Sequence, residues 1–227
     1  MMVDFHTHIL PGIDDGSKTP EQSIQMLRLE ASQGVTDVVL TSHFYAAQNN
    51  IQEYISTRQK AFDELKAHWE PGLPRLHLGA EVQYFEGICV ADEIVDLRIQ
   101  GTELLLLEMP FHHWSDRVIQ DVLSLNERRD IQILLAHIDR YIDFQEPGLW
   151  PYLVDHGILM QANTSFFQGF WSRRKAVKMV QQDLIHVLGT DCHSLISRAP
   201  DWSSVPQKVL EHIHQTLYLP SSQFVTL

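Results

Sequence analysis

The ten residues His6-Thr7-His8-Ile9-Leu10-Pro11-Gly12-Ile13-Asp14-Asp15 hold two imidazoles and two carboxylates near the start of the chain. Side chains at i and i+2 of a strand point the same way, so His6 and His8 can hold one ion between them. Further donors arrive one or two at a time: His43, Glu81, Glu108, His137, and then Asp191 with His193. Imidazole and carboxylate without thiolate suit Mn²⁺, Zn²⁺, Fe²⁺ or Mg²⁺ at a catalytic centre better than a structural zinc. The donor count leaves room for about two or three divalent ions. Such a cluster can bind oxygens of a substrate, supply hydroxide near neutral pH and stabilise charge on a leaving oxygen, which is hydrolytic chemistry.

These donors are spread along most of the chain, so the fold must gather them. Each ends or follows a short apolar run: MVDFHTH, TDVVLTSH from Thr36, RLHLGAEVQ from Arg75, TELLLLEMP from Thr102, IQILLAH from Ile131 and IHVLGTDCH from Ile185. A further run, GILMQANTS from Gly157, completes the set. Amphipathic stretches alternate with them, such as one opened by Thr19-Pro20-Glu21 and ended by Gly34, and one from Ser115 through Arg129. Strands alternating with helices predict a parallel sheet, whose C-terminal strand ends converge on one face. The expectation is a single α/β domain over 1–227, a barrel of about seven βα units, with an open doubly wound sheet as the alternative.

Composition narrows the function. The 227 residues include 17 basic and 29 acidic side chains, a formal charge of −12, which argues against nucleic acid as a partner. No apolar run is long enough to span a bilayer and no leader is evident, so the reading is a cytoplasmic protein without membrane insertion. Cys89 and Cys192 predict no disulfide framework. No glycine lies between Cys192 and Arg198, which disfavours a phosphate-cradling loop around a nucleophilic thiolate.

The order His6-x-His8, His43, Glu81, Glu108, His137, Asp191-x-His193 resembles the PHP superfamily (polymerase and histidinol phosphatase). Within it, HTHILPGIDDG resembles the opening of the CpsB/YwqE-type bacterial protein-tyrosine phosphatases, and the likeness extends to about Pro200. The resemblance implies a distorted TIM-like barrel (the PHP fold) and a trinuclear site, with Mn²⁺ the first choice of metal. His6, His8, Glu81 and Asp191 would hold one ion; Glu81, Glu108 and His137 the second; His43, His193 and Asp14 the third, with Asp15 as the alternative to Asp14. Arg140 in AHIDRY and Arg198 in DCHSLISRAP resemble the family's phosphate-binding arginines, and a guanidinium suits a phosphate through its planar, permanently charged fork. Ile138-Asp139 and Ala199 depart from the family pattern at the substrate rim.

The implied partner is a phosphotyrosine protein, a tyrosine autokinase controlling capsule or exopolysaccharide synthesis. The competing readings are a phosphatase for a small ester such as histidinol phosphate, a nuclease, and a non-catalytic metal-binding regulator. A phenolate leaves readily, so a strong general acid is not demanded, although Asp139 is a candidate. Phe44, Tyr45, Phe111, Trp114 and Phe166 fall near the expected mouth, and His112-His113 is expected at its rim.

Overall fold

A computed structural model of the protein describes residues 2–213 and 219; the outer limits of the expected domain lie beyond them. Strand β1 (Met2–Thr7) leads to helix α1 (Pro20–Ser32), where the Thr19 side chain accepts from Gln22 N and Pro20 supplies a helical φ at the first turn. Strands β2 (Val35–Leu40) and β3 (His43–Phe44), helix α2 (Ile51–Ala67), and strands β4 (Arg75–Leu78) and β5 (Glu81–Gln83) follow. The remainder runs β6 (Leu104–Glu108), α3 (Asp116–Asn126), β7 (Gln132–Leu135), α4 (Leu149–Asp155) and β8 (Leu159–Asn163). It ends with α5 (Phe170–Gln181), β9 (Val187–Gly189) and α6 (Gln207–His212). No helix among the described residues is long and apolar enough to cross a membrane.

Every strand pairing among the described residues is parallel, in the orders β1-β2-β4 and β3-β5-β6-β7-β8-β9. The sheet curls so far that the chain just beyond β9 bonds back to β1: Asp191 N donates to His6 O at 2.7 Å and His8 N to Cys192 O at 2.9 Å. Gly189 makes this approach feasible, because a Cβ there would lie 2.5 Å from that of His6. Inside the curl, Val3, Phe5, Val39, Leu106, Leu134 and Val187 belong to one apolar cluster. Outside it, a larger core lies between sheet and helices, and β6 is buried along its whole length, as a covered parallel strand requires.

The runs from Thr36 and Arg75 read as continuous strands, but each breaks in two, at Thr41-Ser42 and at Gly79-Ala80. Helix α2 explains how the breaks are tolerated. Its Tyr54 hydroxyl donates to Ser42 O at 2.7 Å and its Arg58 Nη1 to Gly79 O at 2.8 Å, so neither carbonyl is buried unpaired. The helix expected through Arg129 stops at Asn126, whose side chain turns to tertiary work, donating to His156 O and accepting from Ile133 N.

Candidate metal centre

The strand ends bring the expected donors to one place. His6 Nε2 and His8 Nε2 lie 3.2 Å apart, both facing Glu81 Oε2 at 3.2 and 3.3 Å and Asp191 Oδ1 at 3.6 and 3.4 Å. His137 Nε2 sits between Glu81 Oε1 at 2.9 Å and Glu108 Oε1 at 3.5 Å. His43 and His193 approach from the other side, with Nε2 atoms 3.5 and 3.3 Å from Asp15 Oδ1. Three overlapping donor groups result, His6/His8/Glu81, His43/Glu81/Glu108 and His8/Asp15/His43/His193, each with its donor atoms within 4.8 Å of one another.

This chemistry fits divalent cations on an observation independent of the donor list. His43 Nδ1, Glu81 Oε2 and His193 Nε2 are buried without a hydrogen-bond partner, and the first two stand 2.9 Å apart without hydrogen-bond alignment. Buried polar atoms are rarely left so, and cations held in the overlapping donor groups would give each of them a partner.

The two loop aspartates have different surroundings. Spacing favours Asp14 as the loop donor, yet Asp14 Oδ2 lies 2.8 Å from His8 Nδ1 and accepts His43 N at 3.0 Å, while Oδ1 accepts Gly16 N at 2.9 Å. That contact with His8 holds the Asp14 carboxyl below the usual carboxylate range against the opposing effect of burial. Asp15 is the carboxylate aimed between His43 and His193. The loop closes this tightly because Gly16 packs against His8, where a Cβ would fall 2.1 Å from His8 O.

Backbone strain is concentrated here as well. His137 and Asp191 hold φ of 28° and 53°, two of the three non-glycine residues with positive φ among the described residues. Such conformations cost about 1–3 kcal/mol each and persist where the surroundings over-determine them.

Arg140 and Arg198 converge on the same carboxylate. The Arg140 guanidinium pairs with Asp191 Oδ2; Arg198 lies 3.5 Å from that oxygen and 3.4 Å from Asp15 Oδ2. Asp191 is kept well below the carboxylate range, where burial is outweighed by His6, His8 and Arg140. His137 is driven up to about 9, because hydrogen bonds to Glu108 and Glu81 overcome a burial that alone would lower it.

Two site residues escaped the sequence reading. Gln161 Oε1 lies 3.1 Å from His6 Nδ1 and accepts His137 N at 2.6 Å, and Asn163 Nδ2 donates to Asp191 Oδ2 at 3.3 Å. Their signal was present in LMQAN, where two amides at i and i+2 interrupt a buried apolar strand. Asp139, the general-acid candidate, is half-buried, accepts Asn163 N at 2.8 Å, and burial raises its pKa.

Of the aromatics, Phe44, Trp114 and Phe166 are buried, whereas Tyr45 stacks on His43 at 5.0 Å and Phe111, 47 % exposed, stacks on His137 at 5.8 Å. His112 and His113 are exposed and turn to the carbonyls of His113 and Phe144. The interval from Cys192 to Arg198 does not by itself exclude a nucleophilic thiol, but the surroundings do. Cys192 is fully buried, 4.0 Å from Glu30 Oε1, and burial, Glu30 and Asp4 push its pKa far up.

A curled parallel α/β sheet with a His/carboxylate cluster at its C-terminal strand ends defines a metal-centred hydrolase-like protein. The model of the family "Capsular polysaccharide synthesis, CpsB/CapC" matches residues 2–219, and the chain belongs to that family. It is 27% identical over 208 residues to the tyrosine-protein phosphatase YwqE of Bacillus subtilis, covering 87% of this chain and 79% of that one. It is 29% identical over 219 residues to the tyrosine-protein phosphatase CpsB of Streptococcus pneumoniae, covering 88% and 86%. A solved chain from work on those two proteins, described there as metal-dependent tyrosine phosphatases, shares the fold with a TM-score of 0.74 at 23% identity, covering 94% of this chain and 88% of its own.

Proposed function

We propose that the protein is a metal-dependent phosphomonoesterase acting on phosphotyrosine in protein substrates. The observation that carries this reading is the convergence of the buried His/carboxylate cluster with Arg140 and Arg198 on Asp191, in a chain whose relatives are named tyrosine-protein phosphatases. His6, His8, Glu81 and Asp191 would hold one divalent ion, Glu81, Glu108 and His137 a second, and His43, His193 and Asp15 a third, with Mn²⁺ the first choice. When bound, these ions neutralise phosphate charge and acidify water for attack on phosphorus.

The chain's own residues do the remainder. Arg140 and Arg198 bind the phosphoryl oxygens, a task suited to a planar fork that keeps its charge. Tyr45 and Phe111, the two aromatics left at the mouth, flank the phenyl ring. Asp14 and Gln161 hold His8 and His6 by their other ring nitrogens and so aim their Nε2 atoms inward.

The same reading makes the chain one domain over 1–227, with about seven βα units when β2 with β3, and β4 with β5, each count as one interrupted strand. Its partner is a cytoplasmic tyrosine autokinase governing capsule or exopolysaccharide synthesis. The test is hydrolysis of a phosphotyrosine peptide with added Mn²⁺, beside histidinol phosphate and a chelator control. Chelator-sensitive turnover of the peptide is expected; preference for histidinol phosphate would overturn the substrate and keep the site.

A further inference from the structure

The chain carries a formal charge of −12, yet Arg173, Arg174, Lys175 and Lys178 lie together on α5, and Lys208 on α6 lines the same groove of about 650 Å³. Arg173 Nε is committed to Phe167 O at 2.7 Å, and Lys175 lies 3.8 Å from Asp143. Arg174, Lys178 and Lys208 have no ion-pair partner among the described residues. At the start of the same helix Phe170 and Trp171, 69% and 77% exposed, sit edge to face at 5.1 Å. Exposed aromatics beside cations are the composition of a binding face more than of an idle surface.

This face is joined to the site. Strand β8 ends at Asn163, which donates to Asp191, and a short turn over Thr164–Phe167 leads into α5. A second groove, of about 510 Å³, is lined by Asp139, next in sequence to Arg140, by Ser165, Phe166 and Trp171, and by Lys175 with its ion-pair partner Asp143. Lys175 also lines the basic groove, so the two meet at that side chain.

We infer that α5 and these grooves form a docking surface for an acidic polypeptide segment flanking the phosphorylated tyrosine, which rests on the activity proposed above. Charge complementarity selects the occupant. Residues 214–227, which follow α6, contain no Asp or Glu and so do not supply the complement from this chain. Two grooves that meet at Lys175 and reach Asp139 suit an extended chain leading toward the site better than a lipid surface does.

The test uses labelled peptides carrying a hydrolysis-resistant phosphotyrosine mimic followed by a run of glutamates or of glycines, with Mn²⁺-supplied protein and fluorescence anisotropy as readout. Wild type should prefer the glutamate peptide, and the triple variant Arg174→Glu/Lys178→Glu/Lys208→Glu should weaken it by about tenfold or more without changing the glycine peptide. With the hydrolysable glutamate peptide the variant should raise KM at unchanged kcat, and its turnover of p-nitrophenyl phosphate should match wild type, which also shows that it is folded. Equal affinity of wild type for both peptides, or an unchanged variant, would overturn the docking surface. So would a charge-dependent association with phosphatidylserine vesicles, or with a second copy of the chain, in the absence of peptide preference. Peptide binding lost in the variant while wild type hydrolyses neither substrate would leave the docking surface standing and remove the catalytic reading.

Discussion

Asp14 Oδ2 lies 2.8 Å from His8 Nδ1, so this aspartate grips the back of an imidazole whose Nε2 faces Glu81 and Asp191. On the reading proposed above, Asp14 orients a donor and Asp15 supplies one. Replacing Asp14 by Ala should weaken Mn²⁺ binding by about 10–100-fold, as loss of an orienting partner does. Replacing Asp15 by Ala should lower the bound metal per chain under saturating Mn²⁺. Calorimetry with elemental analysis separates the two, and full stoichiometry with Asp15→Ala would return the loop position to Asp14.

Much of this was legible because a parallel sheet converts strand ends into one place. Glu108 ends β6, His137 and His193 follow β7 and β9, and His43 and Glu81 stand just past the breaks after β2 and β4, all places that the ends of apolar runs locate well. The division between Asp14 and Asp15 was not legible, since adjacent residues have almost the same spacing and the choice rests on how Gly16 packs against His8. Nor were the breaks in the strands before His43 and Glu81. They depend on Tyr54 and Arg58, whose partners are backbone carbonyls that any sequence would provide.

Arg198 is 39% exposed at the mouth and touches Asp15 and Asp191 through its guanidinium alone. Its replacement by Ala should raise KM for a phosphotyrosine peptide and leave metal content unchanged. Loss of metal from this variant would show that Arg198 holds the cluster together instead of the phosphate.

The His137 shift predicts a pH dependence for chelator-treated protein. Its folded pKa of about 9 exceeds the ordinary 6.5, so the folded state binds the extra proton more tightly. The resulting stabilisation is complete below about 6.5 and is lost as pH rises through about 9. Glu81, held below its ordinary value despite burial by His6, His137 and His43, contributes in the opposite direction, losing stability only in acid. The Tm of metal-free protein should therefore fall between pH 6.5 and 9, and Mn²⁺ should bind more tightly over that interval as it displaces the proton. A flat Tm across the interval would sink the assignment.

A second titrating pair lies behind the site. Asp4 and Glu30 are both fully buried; Glu30 accepts Trp202 Nε1 at 3.0 Å, while Asp4 accepts Thr190 N and Oγ1 at 3.0 and 2.6 Å. Burial, then the neighbouring Asp4, raises Glu30 well above the carboxylate range, so the folded protein retains a proton there. Stability from this group is complete below its ordinary pKa and declines as pH rises through the raised one. Glu30→Gln keeps an acceptor for Trp202 and cannot ionise, so its Tm should decline less than wild type on the alkaline side. Parallel Tm profiles for the two proteins would refute a proton retained on Glu30.

Arg58 is the residue whose loss should connect fold to site. It is nearly buried on α2, donates to Gly79 O at 2.8 Å, and thereby pairs the carbonyl at the break from which Glu81 emerges two residues later. Removing it leaves that carbonyl unsatisfied in the core, at a cost of about 1–3 kcal/mol. Arg58→Met fills much of the volume without donating, so the loss should come from the missing hydrogen bond and charge. Urea unfolding should show the full cost, and kcat should fall with it because Glu81 is the donor shared between two of the donor groups. Stability reduced at unchanged kcat and Mn²⁺ affinity would mean that Glu81 is held by the histidines around it, and that α2 supports the sheet without positioning the site.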